Sequence, residues 1–394
     1  MKIGVLGTGV TKFGEAWKKS LIDLAEEAAT EALDDAGVEV SEIEAIFIGN
    51  MLAGKVENQV HLGSLVGERL GFDGPSMRIE GACASGGMAV RSAVLSLLSG
   101  EYRKVLVVGV EKMTDVPSPQ ISEALMGAAA EEERLAGLTF PSLFALMASV
   151  YMDKYKITEN DLAQVSVKNH FHASFNPKAQ FPFEITTKQV LQSPKIAEPL
   201  KLFDCSPISD GAAAIVLANG EDASKVEVGR PDRGYPCQAS IIASAQASDT
   251  LSLTKRKDLT RLRSVEKAAK KAYQMANIGP KNIDFAEVHD CFTIAEIIAL
   301  EALGFYRKGE GWKGAVGEET YLGGKLPINT SGGLKAFGHP VGATGVKQIV
   351  EIADQLRGRV GERQISKAKI GLAENIGGAG GTAVIHILMR CRVQ

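Results

Sequence analysis

A repeat at an offset of 240 residues restricts the fold of this chain more than any other feature. Residues 21–49, "LIDLAEEAATEALDDAGVEVSEIEAIFIG", place apolar residues at helical spacing and then run into a short buried strand, "EAIFIG". Residues 261–290, "RLRSVEKAAKKAYQMANIGPKNIDFAEVHD", follow the same plan. Aligned without a gap, Glu26 meets Glu266, Ala28 meets Ala268, Ala29 meets Ala269, Ala32 meets Ala272, Ala36 meets Ala276 and Ile43 meets Ile283. Alanine matches between helices are cheap, so the elements that follow carry more weight. "ACASGGMAVRSAVLSLLSGEYRKVLVVGVE" runs as glycine-rich turn, helix and buried strand, and "GHPVGATGVKQIVEIADQLRG" followed by "KAKIGLAENIGG" does the same. Two halves of like order predict a duplicated α/β domain with layered helices and a mixed sheet. The apolar strand runs predict a sheet covered on both faces. Between the halves, residues 113–203 are richer in Pro, Phe and Met and read as a helical insertion, ending where "DGAAAIVLANG" returns as a strand of the first half. The expected division is therefore 1–112 with 204–245, an insertion at 113–203, and 246–394. Sites in such pseudo-dimers tend to form where equivalent turns face each other, which would bring Cys83 towards the 330s and 370s.

Charge and cysteine usage exclude several classes. A net charge of −3 over 394 residues gives no electrostatic case for nucleic acid or an anionic membrane. The N-terminus "MKIGVLGTGVTKFGE" resembles a first strand more than a signal peptide. No apolar stretch is expected to approach the roughly 18 residues of a membrane span, and "RCRVQ" matches no retention, peroxisomal or prenylation ending. The default location is cytoplasmic. Five scattered cysteines, at 83, 205, 237, 291 and 391, include no CxxC pair, which argues against a disulfide framework and a structural zinc site.

Chemistry concentrates in a few turns. "EGACASGGMAV" (80–90) reads as a strand-to-helix turn that puts Cys83 at a helix N-terminus, where a thiolate is stabilised. His339, between Gly338 and Pro340, occupies the turn matching that of Cys83 in the other half, which makes it the candidate base. "EVHDCFTIAEIIALEALG" places His289 and Cys291 at a strand–helix turn, as a candidate acid/base thiol beside an oxyanion donor. "ENIGGAGGTAVIHIL" is weak as a phosphate loop, since it opens a strand and no lysine follows; its use is to offer backbone N–H groups to a confined site. "GTGVTKFG" only grazes the dinucleotide fingerprint, because Lys12 stands where the third Gly belongs. His170 and His172 can face the same way on a strand but not on a helix, and no third ligand accompanies them, so no metal is expected. The one densely basic segment, 252–264, holds Lys255, Arg256, Lys257, Arg261 and Arg263, with Ser264 at an expected helix N-cap.

Together "GACASG", "VHDCF", "GHPVGATG" and "NIGGAGG", in this order, resemble the thiolases, specifically the sterol-carrier-protein type and archaeal acetyl-CoA acetyltransferases, over essentially the whole chain. The resemblance implies a five-layered αβαβα fold of two similar halves with a loop domain, in dimers or tetramers, working on coenzyme A thioesters with no tightly bound cofactor. It implies that Cys83 takes an acyl group while His339 removes its proton, that Cys291 takes a methyl proton from a second acetyl-CoA, and that the enolate oxygen faces His339 and His289. The tetrahedral oxygen would face the N–H groups of Cys83 and Gly377. One departure stands out: most thiolases keep their second catalytic cysteine where this chain has Asn375, and the sterol-carrier-protein type carries it in HDCF, here Cys291.

The resemblance also implies that coenzyme A lies near the basic segment, with Arg256, Lys257, Arg261 and Arg263 towards its phosphates and Ser264 towards pantetheine. Hydroxymethylglutaryl-CoA synthase and a small zinc-containing OB-fold protein are the implied partners in an archaeal setting. Alternatives are a 3-ketoacyl-CoA thiolase for longer chains, a ketoacyl or hydroxymethylglutaryl-CoA synthase, which lack the HDCF and GHPxGATG pair, and a non-catalytic lipid-binding or scaffold protein.

Overall fold

A computed structural model describes residues 2–219 and 239–391; Cys237 lies outside the described residues. Eleven strands were found among them: β1 (Ile3–Val10), β2 (Ala45–Gly49), β3 (Ser76–Ile79), β4 (Lys104–Glu111), β5 (Lys195–Ala197), β6 (Leu200–Lys201), β7 (Gly211–Asn219), β8 (Ala239–Ser248), β9 (Phe285–Glu287), β10 (Ile370–Gly377) and β11 (Thr382–Arg390). All but the small β5–β6 hairpin join one mixed sheet in the order β3-β2-β4-β7-β1-β8-β11-β10-β9. The order is a palindrome about β1–β8. The β2–β4 pair is parallel, as is β9–β10, while β4–β7 and β7–β1 are antiparallel, as are β10–β11 and β11–β8. At the centre Ile3, Gly4 and Val5 pair antiparallel with Ile241, Ser240 and Ala239. β3 has its counterpart in a single parallel bridge, Ala286 to Ile328.

The repeat extends to backbone detail. Helix Leu21–Ala36 ends at Gly37 and helix Arg263–Ala276 at Asn277, both left-handed with φ of 64° and 53°. Asn is one of the few non-glycine residues that visits this conformation routinely, so the sequence changes at this position while the cap is kept. The domain boundary expected at 245/246 falls inside β8, which occupies the place of β1, so the second half opens at that strand.

Helix Leu21–Ala36 covers the outer face of β1, β4 and β7, and helix Arg263–Ala276 the outer face of β8 and β11. Between the half-sheets lie Ser85–Ser99 and Val341–Arg357, packed on each other and on strands of both halves. Helix, sheet, helix pair, sheet and helix make five layers. One core cluster joins Ala89, Val90 and Val94 with Val346, Ile349 and Ile352. The segment Ala82–Ser99 is long and apolar enough to cross a membrane by composition, contrary to the expectation that none would be; its place in the central layer accounts for that composition.

From β4 to β7 the chain runs through helices that include Phe140–Tyr155, capped by Thr139, and Glu159–Ser174. His170 and His172 both lie on the second of these and are buried. The first bonds Phe183 O through Nδ1 at 3.0 Å, and the second accepts the Leu322 N–H at Nε2 at 2.8 Å.

Candidate active site

Cys83 sits on a single turn, Ala82–Ala84, running directly into helix Ser85–Ser99. Ala82 is left-handed at φ 55°, a strained conformation for a residue with a Cβ. Local bonds hold it: Ser85 Oγ accepts the Gly81 N–H at 3.0 Å and donates to Ala82 O at 2.6 Å, while the Ala82 N–H donates to Glu80 at 2.6 Å. His339 lies one residue before the Pro340 cap of helix Val341–Arg357, and its N–H donates to Ser209 Oγ at 2.9 Å. The two central helices thus start side by side, and each presents one reactive side chain at its mouth. Cys83, His289 and His339 are all buried and each offers a ligating atom, all within 4.8 Å of one another.

Hydrogen bonds fix the protons. Thr344 Oγ1 donates to Pro340 O at 3.1 Å, so its 2.7 Å contact with His339 Nδ1 is accepted from an N–H. The lone pair of His339 is therefore on Nε2. His289 has the opposite tautomer. Asn375 Nδ2 can only donate, and it lies 3.1 Å from His289 Nδ1, so the His289 proton is on Nε2. That Nε2 is buried and has no hydrogen-bond partner among the described residues. The rings meet edge to face, with centroids 4.9 Å apart. One imidazole is set up as a base and the other as a donor.

Burial dominates the charges. It pushes the Cys83 thiol up to about 12, although the Gly378 N–H faces the sulfur, and pushes His339 down to about 3. His289 falls well below the usual range through burial and the neighbouring His339. Cys291 is buried and is held well above the usual thiol range by that burial and then by the charges of Cys83, Asp290 and Glu374. Burial thus opposes the thiolate that a helix N-terminus and an imidazole favour, and keeps the proton on Cys83 until His339 removes it.

The remaining expected residues have mixed placements. Gly377 closes β10 against the Cys83 turn, where a Cβ would meet Gly81 O at 2.3 Å. Arg256 braces the glycine-rich turn, donating to Ala379 O at 2.7 Å and Thr250 O at 2.9 Å. Ser264 lies within the helix, Leu262 being the cap, and its hydroxyl donates to Gly380 O at 2.7 Å. Arg261 pairs with Glu266, and Lys255 with Glu132. Lys257 and Arg263 are exposed, with no ion pair recorded among the described residues. Sequence reasoning missed Ser209, Thr344 and Glu111, and gave Asn375 no role. Buried Glu111 accepts the N–H groups of Met51 and Leu52 at 2.9 Å and of Gly342 at 3.1 Å, tying the two halves together at the mouth of the His339 helix. A carboxylate ending an otherwise apolar strand, "KVLVVGVE", was the available signal.

Comparison with known proteins gives concordant matches. A family model for "Thiolase, N-terminal domain" matches residues 3–221, and one for "Thiolase C-terminal domain-like" matches 245–390. A protein from Methanothermobacter thermautotrophicus called acetyl-CoA acetyltransferase is 47% identical, covering 98% of this chain and 99% of its own. One of the same name from Methanocaldococcus jannaschii is 46% identical, covering 98% of both. Sterol carrier protein 2 from Bos taurus is 34% identical over 98% of this chain and 72% of its own. A solved structure described as "Ltp2-ChsH2(DUF35) aldolase" superposes with a TM-score of 0.83 at 25% identity, covering 100% of this chain and 99% of that one.

Proposed function

The chain belongs to the thiolase family, and from that premise we propose how its residues perform acetyl transfer between coenzyme A thioesters. The activity is that of an acetyl-CoA C-acetyltransferase, condensing two acetyl-CoA to acetoacetyl-CoA and CoA or running the reverse thiolysis. The observation that carries the residue assignment is the pair of opposed tautomers beside Cys83.

His339 Nε2 takes the Cys83 proton as the sulfur attacks the thioester carbonyl. The tetrahedral oxygen is met by the N–H groups of Cys83 and Gly377. As the carbon–sulfur bond to coenzyme A breaks, Cys291 gives its proton to the departing thiolate. It is left as a thiolate beside the His339 imidazolium, which offsets the cost of that charge in a buried site. A second acetyl-CoA loses a methyl proton to Cys291, and the His289 Nε2–H and the His339 N–H stabilise the enolate oxygen. The enolate carbon attacks the acetyl-Cys83 carbonyl, the bond to Cys83 breaks, and the sulfur recovers its proton from His339. Every proton is back in place when acetoacetyl-CoA leaves.

Lys257 and Arg263, exposed at the basic segment, are assigned to coenzyme A phosphates, while Arg256, Arg261 and Ser264 shape the loop behind them. Assembly as a homodimer or homotetramer is supported by the open edge of β3, which has one neighbour in the sheet. We further propose hand-over to hydroxymethylglutaryl-CoA synthase through a small zinc OB-fold protein, on a cytoplasmic route to mevalonate; the likeness to an aldolase structure whose description names a DUF35 protein supports a partner protein and nothing finer. Co-purification from native cells tests that partnership, and recovery of this chain without either protein counts against it.

Two measurements test the chemistry. Intact-protein mass spectrometry after incubation with acetyl-CoA should show one acetyl group, absent in Cys83→Ser because an alcohol is a much poorer nucleophile here. Cys291→Ala should still be acetylated, more slowly because the coenzyme A thiolate then departs without a proton from Cys291, but should lose exchange of acetyl-CoA methyl protons with deuterated solvent, by about the 10²–10⁴-fold that an acid–base group contributes. Exchange at the wild-type rate in that variant would move the base elsewhere.

A further inference from the structure

Asn375 lies at the centre of the site and does no proton chemistry, yet all its polar atoms are engaged. Its Oδ1 accepts the Gly87 N–H at 3.1 Å, and its Nδ2 donates to Cys83 O at 3.1 Å. A backbone N–H can only donate and a carbonyl can only accept, so the amide cannot turn over. Its second Nδ2 hydrogen is thereby aimed at His289 Nδ1, 3.1 Å away.

This matters because of what the same cluster could otherwise hold. One cysteine and two histidines, buried, with donor atoms within 4.8 Å of each other, form a donor set suited to zinc. His289, which accepts at Nδ1, is neutral, the form that ligates, and burial favours the same form of His339. A ligating imidazole must show the metal a lone pair, and it usually gives its other N–H to a carboxylate or carbonyl. His339 meets that condition through its N–H to Thr344. His289 fails it at either nitrogen, since the Nδ1 lone pair accepts from Asn375 and Nε2 carries the proton.

We propose that Asn375 is a positioning residue that locks His289 as an Nε2–H donor, reserving the Cys83–His289–His339 cluster for an oxyanion and denying it to a divalent transition-metal ion. The proposal rests on the thiolase reading only for the identity of that oxyanion.

The probe is zinc chloride. Wild-type protein should lose zinc on dialysis. Asn375→Asp, which can accept an Nδ1–H, should bind zinc about 10- to 100-fold more tightly, the scale on which such supporting partners act, displacing the Cys83 proton to solvent. The gain should vanish in the double variant with Cys83→Ser. A folding defect does not create a metal site, so a gain reads the tautomer and not general damage. Wild-type protein labelled with 15N-histidine, with the signals assigned through His289→Gln, should show His289 protonated at Nε2, and this needs no altered residue at 375. An Nδ1–H tautomer in the wild type, wild-type zinc binding as tight as that of the Asp variant, or a folded Asp variant with no gain would each overturn the proposal. Acetylation of wild-type Cys83 is followed in parallel: its failure would strike the catalytic reading and leave the tautomer result standing.

Discussion

A thiol pushed up to about 12 beside an imidazole pushed down to about 3 rests uncharged, and reaction must move the proton rather than draw on a thiolate already made. Alkylation of Cys83 by iodoacetamide follows the thiolate fraction, which grows about tenfold per pH unit below the thiol pKa. The rate should keep climbing above pH 9 with no plateau near neutrality; a plateau at pH 6–7 would mean a resting thiolate–imidazolium pair. Thr344 carries a second consequence. Thr344→Val keeps the shape but removes the acceptor for His339 Nδ1–H, so the lone pair no longer stays on Nε2. Acetylation of Cys83 should slow on the order of 10-fold or more, short of the about 10²–10⁴-fold of a whole acid–base group, with little change in KM. An unchanged rate would show that packing alone orients the ring.

At the scale of elements, the site depends on two helix starts approaching more closely than side chains allow. A Cβ on Gly345 would lie 2.1 Å from Gly87 N, and one on Gly86 would lie 2.6 Å from Gly342 O, both rigid backbone atoms. Gly345→Ala must therefore push the helices apart, at the about 1–3 kcal/mol typical of overfilling a packed core or more, and must draw the Cys83 turn away from His339. Both the thermal midpoint and the acetylation rate should fall. Gly127→Ala, which has nothing within 4 Å, should change neither. If Gly345→Ala keeps full activity, the close crossing is not what aligns the two turns.

For the whole molecule, buried histidines set the acid limit. His170, His172 and His339 are held down to about 3, His386 to about 4, and His289 well below its usual range, chiefly by burial. Unfolded, each takes a proton below about pH 6.5, so the unfolded state binds more protons and stability falls as pH drops. Five carboxyls, Glu111, Glu374 and Asp290 raised to about 7 and Glu57 and Asp354 raised to about 6, chiefly by burial, act in the opposite sense. Folded, they keep protons that the unfolded chain has shed, which favours the fold at lower pH until unfolded carboxylates protonate near 4.5. Between about pH 4.5 and 6.5 the two sets offset each other. Below that range the histidines act unopposed, and five such groups steepen the loss to as much as about 7 kcal/mol per pH unit. Acid titration followed by circular dichroism should show a flat region and then a sharp transition between about pH 4.5 and 3. A gradual loss starting at pH 6.5 would show that the carboxyls do not hold their protons.

The duplication, the glycine-rich turns at the starts of the two central helices, and the placement of Cys83, His289 and His339 at turns were legible in the sequence, because turn chemistry and helical periodicity are properties of neighbouring residues. The family resemblance then placed those turns together. What Asn375 does was not legible. Its contact with Cys83 spans 292 residues, and a hydrogen-bond direction depends on which donor and which acceptor meet in space. The basic segment shows the same limit, since composition counts Arg256 and Arg261 as available charge while the fold uses one to brace the glycine-rich turn and pairs the other with Glu266. Cys83 shows it most clearly. Its place at a helix start follows from eleven consecutive residues, but its proton is held by desolvation, which depends on everything packed around the sulfur and so was decided only by the tertiary structure.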